Sequence, residues 1–311
     1  MLSRTADNLY WMARYLERAE NTARLLEVTH TLTLMPVSTD PTSEYETVLE
    51  STGSRELFAK LYGQPDAAKL LHFFVFEPDN SGSIFACLKA ARDNAHTVRG
   101  SITLEVWESV NTTWLEISRL TPETLDDMGA GVFFDRVKER SHLFRGAAYG
   151  TMMRNDAFRF VRLGTFLERA DNTARLLDVR YALLVGANNT LSAADYFQWN
   201  ALLRALSAHE AYQAIYHDRL LPEHVAELLV LNPVVPRSLA ACVHEIAELL
   251  PRIEGDSGRT PKRLAAELDA SFAWGEMTPI LAQGVHDWLN DFLSRIHHIG
   301  EAVHAAYLEG P

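Results

Sequence analysis

The chain has 311 residues, 47% of them hydrophobic and 23% charged, enough to bury a large core as one big unit or two ordinary ones. Its formal net charge of -12 argues against a nucleic-acid binder, whose surface would be basic, and no run of apolar residues is long enough to suggest a membrane span. Met1 to Asp7 lack the apolar core of a secretory signal, and Cys87 and Cys242 form no Cys-x-x-Cys pair, so a cytoplasmic chain with buried free thiols is expected.

Taken in chain order, the elements read as helices. In the first, Leu9, Met12, Leu16, Ala19, Ala23 and Leu26 recur at three- and four-residue steps. Ala, Leu, Glu and Arg dominate, all good helix formers. Further helices are predicted over 43–62, 83–118, 131–153, 155–186, 193–216, 222–230, 236–253, 259–272 and 278–308. Turn chemistry separates them: Pro36 to Pro41, Pro78-Asp79-Asn80-Ser81-Gly82 and Gly255-Asp256-Ser257-Gly258 read as loops, and Thr121-Pro122-Glu123 as a helix start. No alternating strand pattern stands out. The tryptophans 107, 114, 199, 274 and 288 are expected in the core.

The strongest signal is internal. Residues 16–28 read Leu-Glu-Arg-Ala-Glu-Asn-Thr-Ala-Arg-Leu-Leu-Glu-Val, and residues 167–179 repeat this with only two Glu-to-Asp exchanges. Weaker matches follow in order. Val48-Leu49, Phe58 and Tyr62 align with Leu202-Leu203, Tyr212 and Tyr216; Phe74 to Pro78 align with Leu229 to Pro233; Ser83 to Leu88 align with Ser238 to Val243, cysteines included. Trp114-Leu115 is aligned, with slippage, to Trp288-Leu289. The expectation is an all-α bundle of two tandem repeats, 1–153 and 154–311, related by a pseudo-twofold axis and packed as one unit.

A helical wheel puts Glu17, Asn21, Arg24, Arg14 and Tyr10 on one side, opposite the leucine-alanine stripe, with Arg18 offset. Glu168, Asn172 and Arg175 repeat the row, with Arg169 offset. A solvated face would be free to drift between the copies, and these positions are identical. Three readings stay open: the rows pair across the axis, Glu of one to Arg of the other; they line a cleft that binds an anionic ligand or partner, a role compatible with the first; or their match is surface chance. Before the second copy, Arg136, Lys138, Arg140, Arg145, Arg154, Arg159 and Arg162 form a basic cluster. Within it, Arg145-Gly146 and Gly150-Thr151-Met152-Met153-Arg154 could hold a phosphate or carboxylate, against ordinary salt bridging with Asp135, Glu139 and Asp156. His297, Glu301 and His304 share a helix face, but the Glu-x-x-His set of a di-iron bundle is missing, so no metal and no cofactor are expected. No HExxH, P-loop, GxGxxG or GxSxG motif occurs, and no catalytic residue is assigned.

The stretch Asn8 to Arg24, the segments Phe144-Arg145-Gly146 and Gly150 to Arg154, and Phe166 to Ala170 resemble the signatures of the bacterial alpha-E domain family, helical proteins named for a Glu-Arg motif. The resemblance covers essentially the whole length. It implies company with circularly permuted ATP-grasp proteins, which look like peptide or amide ligases, and with transglutaminase-like proteases. The resulting expectation is an accessory or substrate-presenting protein of a peptide-forming or peptide-tagging system. The alternative is an enzyme using Glu17 or Glu168 as acid/base on a peptide or amide. Self-association into a homo-oligomer is a third role for the acidic surface.

Overall fold

The computed structural model describes residues 1–33, 41–185, 193–217, 220–255 and 258–309. Among these residues there are helices and no strands. The first half runs α1 (Ser3–Thr33), α2 (Pro41–Ser51), α3 (Arg55–Tyr62), α4 (Ala67–Val75), α5 (Ile84–Thr97), α6 (Leu104–Ile117), α7 (Pro122–Met128) and α8 (Ala130–Thr151). The second half follows the same order of long and short: α9 (Asp156–Val185), α10 (Ala193–Ala205), α11 (His209–Tyr216), α12 (Pro222–Val230), α13 (Leu239–Leu249), α14 (Arg259–Ala273), α15 (Met277–Gln283) and α16 (Val285–Val303). The boundary expected at 153/154 lies in the turn between α8 and α9.

The two longest helices, α1 and α9, form the axis and pack extensively against each other. Around them, α5 and α8 cover α1, while α13 and α16 cover α9. The halves also interleave. Helix α10 packs on α1, and α2 packs on α9, where Glu44 pairs with Arg180 at 2.8 Å and accepts from Gln198 at 3.0 Å. One glycine fixes the closeness of the axial pair. A Cβ on Gly164 would lie 2.3 Å from the Tyr10 carbonyl oxygen, so only hydrogen fits there.

Because α1 is enclosed on all sides, its polar row is not opposite the core, as the wheel suggested, but inside it. Glu17, Glu20 and Asn21 are buried together with Leu16, Ala19 and Ala23. Single-helix amphipathicity cannot register a helix surrounded by other helices.

Local chemistry explains most boundaries. Ser83 caps α5 by accepting from the Ala86 amide, and Ser238 caps α13 through the Ala241 amide. Thr121 and Thr124 form a capping box with Pro122 in the first turn of α7. The predicted 43–62 helix is cut into α2 and α3 at Gly53, whose φ of +66° suits glycine. The 83–118 prediction is broken by a short 3-10 turn, Arg99–Ser101, and 278–308 is divided at Gly284. Helix α4 was not predicted because its run of Leu70, Phe73, Phe74 and Val75 is too short and too uniformly apolar to show a period. Helix α7 runs on from the start expected at Thr121-Pro122-Glu123. Pro36 to Asp40 and Asp256-Ser257 lie outside the described residues. Trp199 is fully buried, but Trp274, which ends α14, is 89% exposed and is no core residue. Trp114 belongs to α6 and Trp288 to α16, so their alignment does not hold.

Candidate functional site: a buried carboxylate-arginine network

The repeated stretch places Glu17 on α1 and Glu168 on α9, and each carboxylate meets the arginine of the other copy. Arg169 donates to Glu17 through Nε (2.9 Å to Oε1) and Nη2 (3.0 Å to Oε2). Arg18 donates to Glu168 in the same fork, Nε to Oε1 at 2.6 Å and Nη2 to Oε2 at 3.0 Å. Such bidentate pairs fix direction as well as charge. Glu17 and Arg169 are buried, while Arg18 keeps 28% of its side-chain surface.

Each carboxylate then recruits further cations. Glu17 also accepts from Arg237 (Nη1 to Oε1, 2.9 Å) and Arg145 (Nη1 to Oε2, 3.2 Å). One turn on, Glu20 accepts from Arg237 (Nη2, 2.8 Å), Arg24 (Nε, 2.9 Å), Ser141 (Oγ, 2.6 Å) and Arg145. The second Arg237 contact from Nη1 is the Asn21 side-chain oxygen at 2.9 Å. Around Glu168 the additional donor is Arg14, Nε to Oε2 at 2.8 Å. Asp171, where α1 has Glu20, is held by Arg175 in a fork of 2.8 and 3.1 Å and by His297 at 2.7 Å.

The electrostatics follow from burial and neighbours. Burial alone would raise the Glu17 carboxyl, but Arg169, Arg237 and Arg145 outweigh it and bring it down to about 2. Burial likewise favours protonation of Glu20, but Arg237, Arg145 and Arg24 overcome it, so its carboxyl lies well below its ordinary value. Burial would raise Asp171 too, but His297 and Arg175 lower it to about 2. A general acid must hold a proton near neutral pH, and Glu17 does not. Burial pushes the Cys87 and Cys242 thiols up to about 12, and both are free.

The other sequence candidates divide. Glu17, Arg18, Asn21, Arg24, Glu168, Arg169, Arg175 and Arg145 belong to this network. Asn172 lines a cavity beside it. Thr151 and Arg154 stand apart: Thr151 meets Thr103 at 2.6 Å, and exposed Arg154 donates to the Tyr149 carbonyl at 2.6 Å and covers the Tyr149 and Phe158 rings. The rest of the basic cluster forms ordinary ion pairs, Arg136 and Arg140 with Glu116, Lys138 with Glu27 and Asp135, Arg159 with Asp156 and Arg162 with Glu245. His297 serves Asp171, and no group of three metal-ligating side chains occurs among the described residues.

The wheel places Arg14 in the polar row, but sequence reasoning misses Arg237 and Glu20 as members. A signal existed for Arg237, since it directly precedes Ser238 where Gly82 precedes Ser83. An unmatched arginine in an otherwise matching segment marks a place where the copies differ in charge.

No helix among the described residues is long and apolar enough to cross a membrane. Uncharacterized proteins of Mycobacterium bovis and of two strains of Mycobacterium tuberculosis are each 22% identical to the chain, over 94% of it and 35% of their own length. The chain thus spans about a third of these curated relatives. No solved structure matches it. The family model Alpha-E, described as a predicted α-helical domain with a conserved ER motif, matches residues 1–308. The chain belongs to the Alpha-E family.

Proposed function

We propose that this protein is a non-catalytic accessory subunit of a peptide- or amide-forming system, docking to or presenting substrate for an ATP-grasp ligase. The observation that carries this reading is the commitment of the motif carboxylates: Glu17 and Glu168 each accept a full arginine fork from the opposite axial helix. Groups held this way set the register of two helices and have little left for acid/base work. In the mycobacterial relatives a similar unit makes up 35% of a longer polypeptide, which suits a module that works beside other domains. A transglutaminase-like protease is a second partner in the same system. The two halves, 1–153 and 154–311, are read as copies of one unit that act as one body. Free cysteines suit a reducing, cytoplasmic setting.

The test is co-expression of the chain with an ATP-grasp ligase of the kind the family resemblance implies, followed by affinity purification and sedimentation. A defined complex and a change in ligase turnover are expected. A chain that sediments only with itself and leaves ligase turnover unchanged overturns the reading. So does turnover of a peptide or amide by the isolated chain.

A further inference from the structure

Gly82 and Arg237 occupy the same place in the two halves. Each directly precedes the serine that caps the following helix. Each offers its carbonyl to the threonine five residues after the motif glutamate: Thr22 donates to Gly82 at 3.3 Å, and Thr173 donates to Arg237 at 2.9 Å. From this place Arg237 sends its guanidinium to three acceptors on α1, Glu17, Glu20 and Asn21. The matching acceptors on α9 are Glu168, Asp171 and Asn172, and glycine sends them nothing.

What lies there instead is a cavity of about 500 Å³, lined by Gly82, Glu168, Asp171 and Asn172 together with Arg18 and Arg175. The accounting of donors is consistent with a missing cation. Glu17 Oε1 accepts from both Arg169 and Arg237, whereas Glu168 Oε1 accepts from Arg18 only. The side-chain oxygen of Asn21 accepts from Arg237, whereas the Asn172 side chain has no hydrogen bond among the described residues. The other difference between the halves is compensated. Arg145, on Glu17 Oε2, has Gly300 as its counterpart, three residues after His297 as Arg145 is three after His142. Arg14, replaced by Thr165 in the second copy, supplies the donor to Glu168 Oε2. Of the arginine donors, Arg237 alone has no substitute, while on Asp171 the imidazole of His297 comes to 2.7 Å where His142 stays 3.8 Å from Glu20.

We propose that the cavity beside Gly82 is a binding site for a guanidinium group, which takes the place that Arg237 fills in the other half. The ligand donates to Glu168 Oε1, to the Asp171 carboxylate and to the Asn172 side-chain oxygen. Arginine provides this group either as the free amino acid or as a side chain of a peptide. A planar fork of donors fits this acceptor set better than the compact ammonium of lysine.

The experiment is calorimetric titration of the full chain with L-arginine, citrulline, lysine, an acetylated and amidated Gly-Arg-Gly peptide, and inorganic phosphate. Saturable arginine binding at one site is expected, with citrulline, which has the shape without the charge, at least tenfold weaker. Equal binding of the capped peptide identifies a peptide side chain as the source, and loss of binding on capping identifies the free amino acid. Gly82→Arg is expected to close the site from within and abolish binding. The Gly82 backbone is outside the left-handed region, and a Cβ there is 3.2 Å from only the Asn80 side-chain oxygen. Asn172→Leu, a second variant outside the arginine forks, is expected to weaken binding at least tenfold and decides the matter if Gly82→Arg does not fold. Absence of saturable arginine binding overturns the proposal, as does undiminished binding in the folded variants or saturation by phosphate in place of arginine.

Discussion

Glu17 and Arg169 lie 152 positions apart in sequence and meet in a two-bond fork inside the axial helix pair. The reverse fork, Arg18 to Glu168, is more open to solvent. Two chemically similar pairs in different dielectric surroundings make their contributions separable.

Replacing Glu17 by Gln removes the charge that Arg169, Arg237 and Arg145 share. Breaking a buried ion pair from one side leaves an uncompensated charge and costs about 3–5 kcal/mol. Urea unfolding of Glu17→Gln is expected to show a loss of this size, with the slope unchanged. A loss below about 1 kcal/mol, the range of exposed pairs, would mean that water reaches the cluster.

Arg169→Ala is expected to destabilise more than Arg18→Ala. Both leave a glutamate with other arginines, Arg14 for Glu168 and Arg237 and Arg145 for Glu17, but solvent reaches the Arg18 pair, whereas the Arg169 side chain is only 9% exposed and Glu17 would be left in the drier site. Paired denaturation curves decide this, and equal midpoints would contradict it.

The carboxyls of Glu17 and Asp171 titrate near 2 in the folded chain and near 4.5 and 3.8, respectively, when free of it. Depressed values mean that the unfolded chain binds protons first, so the stability these groups contribute is complete above about 4.5 and falls as the pH drops toward 2. Thermal melts followed by circular dichroism are expected to be flat from pH 7 to 5 and to decline steeply below, with most of the loss before pH 2. A decline centred above pH 5 would point to histidines instead.

Gly164→Ala tests the closeness of the axial helices. The added methyl meets the Tyr10 carbonyl oxygen at 2.3 Å, and backbone cannot rotate away as a side chain can. Overpacking of this kind costs about 1–3 kcal/mol, and here helix propensity, which favours alanine, acts in the opposite direction by about 1 kcal/mol. A variant as stable as the parent would show that α1 and α9 can separate without loss.

Cys87 and Cys242 are buried, with thiols at about 12. A thiol reagent at pH 8 is expected to label neither in the native chain and both in denaturant. Fast labelling of either one in buffer would reveal local opening around α5 or α13.

The sequence made the helical character legible because long helices such as α1 and α9 carry their period in leucine and alanine, and because serine and threonine caps mark starts such as Ser83 and Thr121. It made the motif residues legible because identity across the two copies exposed them. It could not place them. A wheel drawn for an isolated α1 assigns Glu17 to a face, and the helices that cover that face come from α8, α9 and the Arg237 turn, far away in the chain. Arg237 itself was obscured because it stands in a loop, outside the repeated stretch, and its partners are 216 to 220 residues earlier.

The exchange of arginine forks between α1 and α9 has a consequence for the chain as a polymer. Cut in the exposed turn after Met152, it would yield two fragments, each carrying carboxylates whose counter-ions are on the other. The α2–α9 and α1–α10 crossings would likewise be lost. Neither fragment should hold its fold alone, and mixed in equal amounts they should reassociate with a preference for each other over themselves, since only the first carries Arg145 and only the second carries Arg237. The protein is in this sense a ready-made pair for fragment complementation, with the salt concentration of the buffer as the control on how readily the two parts meet.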